Sequence, residues 1–185
     1  MNHNLFFKLF EKPMLQLTVK LNRKILTPAR TRLNHRKWKK KMSEVCPFCR
    51  IASGKAPASI VYEDATVLAF MDLNPANVGH ILVVSKEHWE NIYEVPEKVL
   101  AEMITVVKRV SAAVKKTIGA EGISVLQLNG MVAGQSVMHI HFHVIPRFRG
   151  DSISKAIGAM MGHQGVEKPE RRDLDETARK IRENL

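Results

Sequence analysis

The chain has 185 residues, of which 45% are hydrophobic, and a formal net charge of +11. This length is typical of one domain, and the apolar content is sufficient to bury a core. Two cysteines are too few for the disulfide scaffold that stabilises small secreted domains, so that class is excluded.

The positive charge is concentrated in residues 1–41. This segment holds 12 of the 29 Lys and Arg residues and a single acid, Glu11, whereas the rest of the chain carries 17 basic and 17 acidic residues. We therefore predict a basic arm followed by a neutral domain that begins at Met42. Three interpretations of the arm remain open: a disordered or untranslated extension, an organelle-targeting segment, or a segment that binds nucleic acid or an anionic membrane.

The pair Cys46 and Cys49, in the sequence CPFC, precedes the first predicted strand. A C-x-x-C pair can bind tetrahedral zinc through two thiolates if two further ligands come from elsewhere. His88 and His139 are the best placed histidines, so we predict a closed, structural zinc site. The alternatives are unligated thiols or a redox pair, although a redox cysteine usually heads a helix that follows a strand.

Three strands are predicted after the cysteine pair. Ile60–Glu63 and Thr66–Met71 are short apolar or β-branched runs separated by Asp64 and Ala65, a pattern typical of a hairpin with a tight turn. His80–Ser85 follows the turn sequence NPANVG and is the third predicted strand.

A long helix is predicted between Pro96 and Gly119. Proline suits the first helical position and glycine suits the end of a helix. Apolar residues recur between them at helical spacing, which indicates one core-facing stripe: Leu100, Met103, Val107, Val110, Val114 and Ile118.

Two more strands and a helix complete the predicted elements. The strands are Ile123–Leu128 and Met138–Ile145, the second of which stops at Pro146. From Pro169 a helical pattern places apolar residues on one side and a pair formed by Glu176 and Lys180 on the other. Five strands and few helices favour an α+β fold with an antiparallel sheet, in which residues 42–150 form the domain and residues 151–185 form a tail with a docking helix.

The fifth predicted strand contains His139, His141 and His143 in strict alternation with apolar residues. Alternate residues of a strand project from the same face. We therefore expect the three imidazoles to line one surface, with the middle ring exposed, while Ile140, Phe142 and Val144 pack beneath the sheet.

The loop before this strand is rich in small and polar residues that can bring backbone N–H groups close to an anion. These residues are Asn129, Gly130, Gly134, Gln135 and Ser136. Because the loop leads directly into the histidine strand, we predict that it belongs to the same site.

The sequence HIHFHVI resembles the H-φ-H-φ-H-φ-φ motif of the histidine triad superfamily, where φ is apolar, and the preceding GQSVMH strengthens the likeness. The segment that begins at CPFC resembles the N-terminal half of the zinc-carrying members, so the resemblance covers about Cys46 to Arg147. It implies a nucleotide hydrolase or transferase that attacks the α-phosphate of purine nucleoside phosphoramidates, aminoacyl-adenylate-like compounds or dinucleoside polyphosphates. A nucleotidyl-histidine would be the intermediate.

The resemblance also implies roles for individual residues. His141 would be the nucleophile, and a cationic His143 and Ser136 would bind or protonate around the phosphate. Asp72 would receive the ribose hydroxyls, and no divalent cation is required at the reacting phosphate. Asn129, Gly134 and Gln135 would lie beside the phosphate, His80 would either support the site or serve the fold alone, and Phe48, Ile51, Phe70 and Leu73 are candidates for the base pocket.

A homodimer through the long helix and the sheet edge is implied as well, with a small-molecule nucleotide as substrate and a cytoplasmic location. The residues after the triad, PRFRGD, and the segment from Lys168 onward depart from the tail of the phosphoramidase branch. Two other classes therefore stay open: a catalytically weak nucleotide-binding scaffold, and a nucleic-acid 5′-adenylate hydrolase that uses the basic arm for strand affinity.

Overall fold

A computed structural model of the protein describes residues 44–151 and 168–185, so the predicted basic arm lies outside the described residues. Five strands form one sheet in the order β1-β2-β3-β5-β4, with every neighbouring pair antiparallel. This confirms the predicted α+β class with a five-stranded antiparallel sheet. The strands are β1 (Ile60–Glu63), β2 (Val67–Met71), β3 (Ile81–Ser85), β4 (Gly122–Gln127) and β5 (His141–Arg147).

Three α-helices lie wholly within the described ranges: α1 (Pro47–Ala52), α2 (Glu97–Ile118) and α3 (Arg171–Arg182). The long helix α2 was predicted, with its end at Gly119, which has the left-handed φ of 70° that glycine tolerates. Pro96 is the residue before the helix rather than its first position. The short helix α1 was not predicted, because six residues are too few to show a helical period. None of the described helices is both long and apolar enough to cross a membrane.

The hairpin between β1 and β2 was predicted and is confirmed. Asp64 Oδ1 accepts hydrogen bonds from the backbone N–H groups of Thr66 and Val67, both at 2.7 Å. These hydrogen bonds from two backbone N–H groups to one side chain stabilise the turn.

The two faces of the sheet have different partners. One face packs against α2 and α3 and forms the main core, in which Met103, Val107, Val110 and Val114 of α2 meet Ile140, Phe142 and Val144, as the alternation predicted. The other face packs against α1 through Leu68, Phe70, Leu82 and Val84. The site described below lies on this second face.

Strand β5 begins three residues later than predicted and ends two residues later. The N–H of His139 bonds to the Val137 carbonyl at 2.8 Å, and the N–H of Ile140 bonds to the Trp89 carbonyl at 2.7 Å, so pairing with β3 begins only at His141. His139 therefore lies before β5 rather than within it, but its ring is on the same side of the sheet as that of His141. Phe48 packs edge-on against both rings, and Ile140 lies in the main core on the other side with Phe142 and Val144. Pro146 is tolerated within β5 because pairing with β3 ends at Val144.

Candidate functional site

A cavity of about 410 Å³ lies on the face of the sheet that α1 covers. Its floor includes a row of cross-strand partners, in which Phe70 on β2 is opposite Leu82 on β3, and Leu82 is opposite His143 on β5. His141 lies in the next row, opposite Val84. The walls contain Phe48 and Ile51 of α1, Pro57 and Ala58 before β1, Leu73 after β2, and Arg171 of α3.

His141 lines this cavity with one ring nitrogen already committed. Its Nδ1 lies 2.6 Å from the carbonyl oxygen of His139. Because a carbonyl can only accept, Nδ1 carries the proton and Nε2 holds the lone pair. The ring is thus in the tautomer that an attacking imidazole requires.

The prediction that this middle ring stands exposed was wrong, since His141 is only 3% exposed. The ring of Phe48 packs edge-on against it, with centroids 5.2 Å apart. Burial lowers the pKa of His141 below its usual value, which keeps the ring neutral at neutral pH. Access to it is through the cavity rather than from open solvent.

His143 is held in a defined tautomer by a relay that begins at the backbone. The N–H of Ala76 donates to His80 Nδ1 at 3.1 Å, so the proton of neutral His80 is on Nε2. His80 Nε2 lies 3.0 Å from His143 Nδ1 and donates to it. The proton of neutral His143 is therefore on Nε2, and this N–H is available as a donor.

Burial, followed by the nearby His141, lowers the pKa of His80 to about 3 and that of His143 to about 2. We expected a cationic His143 from the sequence, whereas desolvation in this buried position favours the neutral ring. The neutral ring of His143 offers its Nε2–H as a hydrogen-bond donor.

Asp72 follows β2 and lines the cavity near this relay. Its Oδ1 accepts from the N–H of Asn74 at 2.9 Å, and its Oδ2 is 3.5 Å from His80 Nδ1. Burial raises the pKa of Asp72 to about 6, against the lowering effect of the backbone N–H groups of Asn74 and Leu73. The carboxyl group therefore lines the cavity in a position where burial disfavours its ionised form.

The predicted loop contributes one side chain to the cavity lining, Ser136. Gln135 is buried and holds the loop together instead: its Oε1 accepts from the N–H of Gly130 at 2.7 Å, and its Nε2 donates to the carbonyl of Glu90 at 2.7 Å. The sequence pattern indicated a polar loop but could not show which of its polar groups would bond internally.

Asn129 and Gly134, also predicted to lie beside a substrate, are not in the lining of the cavity within the described chain. Asn129 Oδ1 accepts from the N–H of Ile92 at 2.9 Å, and its Nδ2 donates to Gln127 at 2.6 Å. Gly134 ends a short 3₁₀ turn with a left-handed φ of 93°. In this structure both residues shape the loop that carries Ser136.

The four predicted metal ligands, Cys46, Cys49, His88 and His139, meet in one buried cluster. Their ligand atoms all lie within 4.8 Å of one another. Cys49 Sγ is 3.3 Å from His88 Nδ1 and 3.4 Å from His139 Nδ1. Tetrahedral zinc with bonds of about 2.3 Å to sulfur and about 2.0 Å to nitrogen places such pairs about 3.5 Å apart, so the spacing fits a metal ion.

The protonation of the cluster also fits a metal ion. His139 Nε2 donates to the carbonyl of Ser85 at 2.8 Å, which leaves Nδ1 unprotonated and directed at the thiols. Both thiols are free, and the hydrogen bond from Cys49 lowers the pKa of Cys46 against the opposing effect of burial. A second group, Asp72, His80 and His143, is also close enough for a cation, but hydrogen bonds already engage both nitrogens of His80 and Nδ1 of His143.

Some cavity residues were not predicted. Arg171 is the most informative of these, because it is separated in sequence from the other lining residues and its helix had been interpreted only as a docking element. Its position depends on contacts with Pro57 and Ser59, more than a hundred residues away. No local pattern could have indicated them.

The HIT domain matches residues 53–150 of this chain. An uncharacterized HIT-like protein of Methanocaldococcus jannaschii is 43% identical over 138 residues, which is 75% of this chain and 99% of that protein. An adenosine 5′-monophosphoramidase of Schizosaccharomyces pombe is 42% identical over 102 residues, which is 55% of this chain and 74% of that protein. The solved structure of a zinc-bound histidine triad family protein from Mycobacterium smegmatis is similar with a TM-score of 0.65 at 34% identity, and the match covers 77% of this chain and 94% of that one.

Proposed function

This chain belongs to the HIT domain family, and from that premise we propose that it cleaves purine nucleotides at the α-phosphate through a nucleotidyl intermediate on His141. The observation that carries the proposal is the bond between His141 Nδ1 and the His139 carbonyl at 2.6 Å. It leaves a neutral Nε2 with a lone pair in the wall of a cavity large enough for a nucleotide.

In the first step, His141 Nε2 forms a bond to the α-phosphorus, and the bond from phosphorus to the leaving group breaks; the departing nitrogen of a phosphoramidate takes up a proton from water. In the second step, water attacks the same phosphorus and the bond to Nε2 breaks. For a phosphoramidate the net reaction consumes one water and releases a nucleoside 5′-monophosphate and an amine. Two displacements with a good nucleophile are each easier than one direct attack by water.

Charge that develops on the phosphate oxygens requires donors in fixed positions. We assign this role to the Nε2–H of His143, whose tautomer the Ala76 and His80 relay imposes, and to the hydroxyl of Ser136. A neutral His143 donates without first having to acquire a proton in a buried site.

The remainder of the cavity suits a nucleoside. Asp72 offers carboxylate oxygens that can accept from both ribose hydroxyls. Phe48, Phe70 and Leu82 provide apolar surface for the flat faces of a base. The name of the S. pombe relative favours a phosphoramidate substrate, and dinucleoside polyphosphates are the second substrate class, because both present an α-phosphate with a leaving group.

We further propose that the cluster of Cys46, Cys49, His88 and His139 holds structural zinc. The donor spacing and the unprotonated Nδ1 of His139 support this, and the M. smegmatis neighbour is a zinc-bound protein. When bound, zinc would supply a redox-inactive cross-link with no open coordination position.

The function is tested by replacing the nucleophile, His141→Ala. Turnover of adenosine 5′-phosphoramidate by the full chain should fall by about a thousandfold or more, because the covalent route is lost. Affinity for AMP should stay within about tenfold, since most cavity contacts remain. Lys180→Ala, on the exposed side of α3, is the matched control. Retained turnover in the His141→Ala variant would exclude this ring as the nucleophile.

We also propose a homodimer in which β4 and α2 form the contact. Among the described strands, β4 is an edge strand with one neighbour, and both Val125 on β4 and Ile104 on α2 expose large apolar side chains. Sedimentation equilibrium of the full chain should give twice the mass of one chain, and Val125→Glu should shift the distribution to the monomer. A monomeric wild-type protein would exclude this contact.

A further inference from the structure

We infer that Arg171 binds the outer edge of the nucleobase and makes the cavity prefer guanine to adenine. The inference rests on the proposed function, because it takes the phosphate to lie at His141. It concerns a residue of α3, a helix that lies beyond the matched HIT domain of residues 53–150.

The cavity has a direction across the sheet. His141 and His143 lie on β5, Leu82 on β3 and Phe70 on β2, and the chain that leads into β1 closes the far end. From β5 to β1 there are three strand spacings of about 4.8 Å, or about 14 Å in all. A nucleotide with its phosphate at β5 and its base over Leu82 and Phe70 therefore directs the outer edge of the base toward β1.

Arg171 stands at that far end. Its guanidinium donates to the Ser59 hydroxyl at 3.2 Å and reaches the Pro57 carbonyl at 3.5 Å, so it is fixed beside the chain entering β1 while it lines the cavity. Both partners are neutral within the described chain. The neighbouring Arg172, by contrast, pairs with Glu170 and Asp173.

The placement of Arg171 is part of the core packing of α3. Leu174, one turn further along the helix, is buried in the main core. Asp175 accepts a hydrogen bond of 2.6 Å from the same Ser59 hydroxyl that Arg171 contacts. The guanidinium is therefore anchored from two directions and is preorganised for a ligand.

A guanidinium has five N–H donors and no acceptor, so after its two bonds to the protein it still offers donors to a base. Guanine presents two adjacent acceptors, O6 and N7, whereas adenine presents the acceptor N7 beside the donor N6. Arg171 can satisfy both guanine atoms, but against adenine one N–H group meets another. The result is a preference for bases with a 6-oxo group.

The first test needs no variant and uses binding of monophosphates to the full chain, measured by calorimetry. We expect GMP to bind roughly tenfold more tightly than AMP, in keeping with one bidentate contact. IMP should resemble GMP, since it keeps O6 and N7, and 7-deaza-GMP should bind more weakly than GMP. Equal affinities for GMP and AMP would overturn the inference.

The second test uses Arg171→Gln, with Arg172→Gln as the matched control, because the side chain of Arg172 is 84% exposed and outside the cavity lining. Arg171→Gln should reduce the ratio of GMP to AMP affinity to within about twofold, and Arg172→Gln should leave it unchanged. Thermal unfolding of each variant checks that α3 is still docked. An unchanged ratio in a folded Arg171→Gln protein would overturn the assignment.

These outcomes separate the inference from the proposed function. If neither monophosphate binds, the nucleotide site itself is wrong and both fall together. If both bind equally and His141→Ala still abolishes turnover, only the role of Arg171 is lost.

Discussion

Asp72 is a carboxyl group in a place that disfavours its charge. Burial raises its pKa from 3.8 to about 6, so the folded protein holds this proton more tightly than the unfolded chain does. Its contribution to stability is fully present below the unfolded value and is lost as the pH rises through the folded value. At neutral pH the ionised group weakens the fold, which is the expected cost of an acceptor kept ready for a ligand.

We expect Asp72→Asn to stabilise the fold at high pH. The gain in free energy of unfolding over the natural chain should grow by about 2 kcal/mol between about pH 4.5 and about pH 8, because only the carboxyl group titrates. Denaturant unfolding at the two pH values measures this. A gain that does not change with pH would show that Asp72 is not titrating as described.

The contributions of His80 and His143 to stability change with pH in the opposite direction to that of Asp72. Burial depresses both pKa values below the unfolded value of 6.5, so their neutral forms contribute stability above pH 6.5 that is lost as the pH falls toward the folded values. The free energy of unfolding of the full chain should fall on acidification from about pH 7 to about pH 5. His80→Phe, which cannot take up a proton, should reduce this slope, and an equal slope in both proteins would contradict the argument.

Single residues also show how far local patterns reach. The period of two around His141 and His143 was sufficient to place both rings on one face, because strand geometry is local. The start of the strand could not be predicted in the same way, since the N–H of Ile140 bonds to the Trp89 carbonyl and β5 begins only at His141. Such a bond comes from a distant segment and leaves no trace in the spacing.

Helix α1 and the Cys46 residue before it connect the proposed zinc site to the cavity. Cys46 and Cys49 direct sulfur toward His139, and Phe48 between them packs against the rings of His139 and His141 and against Phe70. The carbonyl of His139 in turn holds His141. The cluster therefore supports both a wall of the cavity and the tautomer of the proposed nucleophile.

Removal of the proposed zinc should affect nucleotide binding as well as stability. Cys49→Ser, or treatment with a chelator, should lower the unfolding temperature and weaken GMP binding, because α1 is no longer held against the sheet. Metal content by atomic absorption should fall from one ion per chain. Ser53→Ala, at the end of α1 and outside the cluster, is the control. Unaltered binding after complete metal loss would show that α1 is held by packing alone.

Neither the existence of helix α1 nor the contact of α3 with the cavity could be predicted from the sequence, and the reasons differ. The first is too short for a period, and its conformation depends on side chains that meet the sheet. The second was found as an amphipathic helix, because Leu174, Ala178 and Ile181 follow a helical spacing and are buried. Its contact with the cavity depends on which end reaches β1, and that is decided by packing across the sheet.

The C-terminal helix contributes to the core and to the cavity at once. Ile181 is fully buried in the main core, and Arg182 donates to the carbonyl of Ile60 at the edge strand. Ile181→Ala should lower the free energy of unfolding by about 2 to 4 kcal/mol. Because the helix also carries Arg171, the preference for GMP over AMP should narrow. Lys180→Ala, an exposed neighbour, should change neither quantity.

Charge divides the chain into unequal parts, since residues 1–41 carry the whole net charge of +11 and the rest of the chain is neutral. If this arm binds nucleic acid, its deletion should abolish a salt-dependent affinity for single strands. Turnover of a small phosphoramidate should not change, because the lining of the cavity in the described chain comes from residues between Pro47 and Arg171. Filter binding at two salt concentrations and a turnover assay give the two results. The arm and the cytoplasmic location stay predictions.

The row from Phe70 through Leu82 to His143 crosses three strands with no break. Side chains alternate between faces along each strand. A shift of β5 by one residue against β3 would therefore place both imidazoles in the main apolar core and Phe142 on the cavity face. A cavity lined by both imidazoles therefore requires the native register of β3 and β5. The rate at which turnover recovers during refolding should therefore report the rate at which β3 and β5 reach their native register.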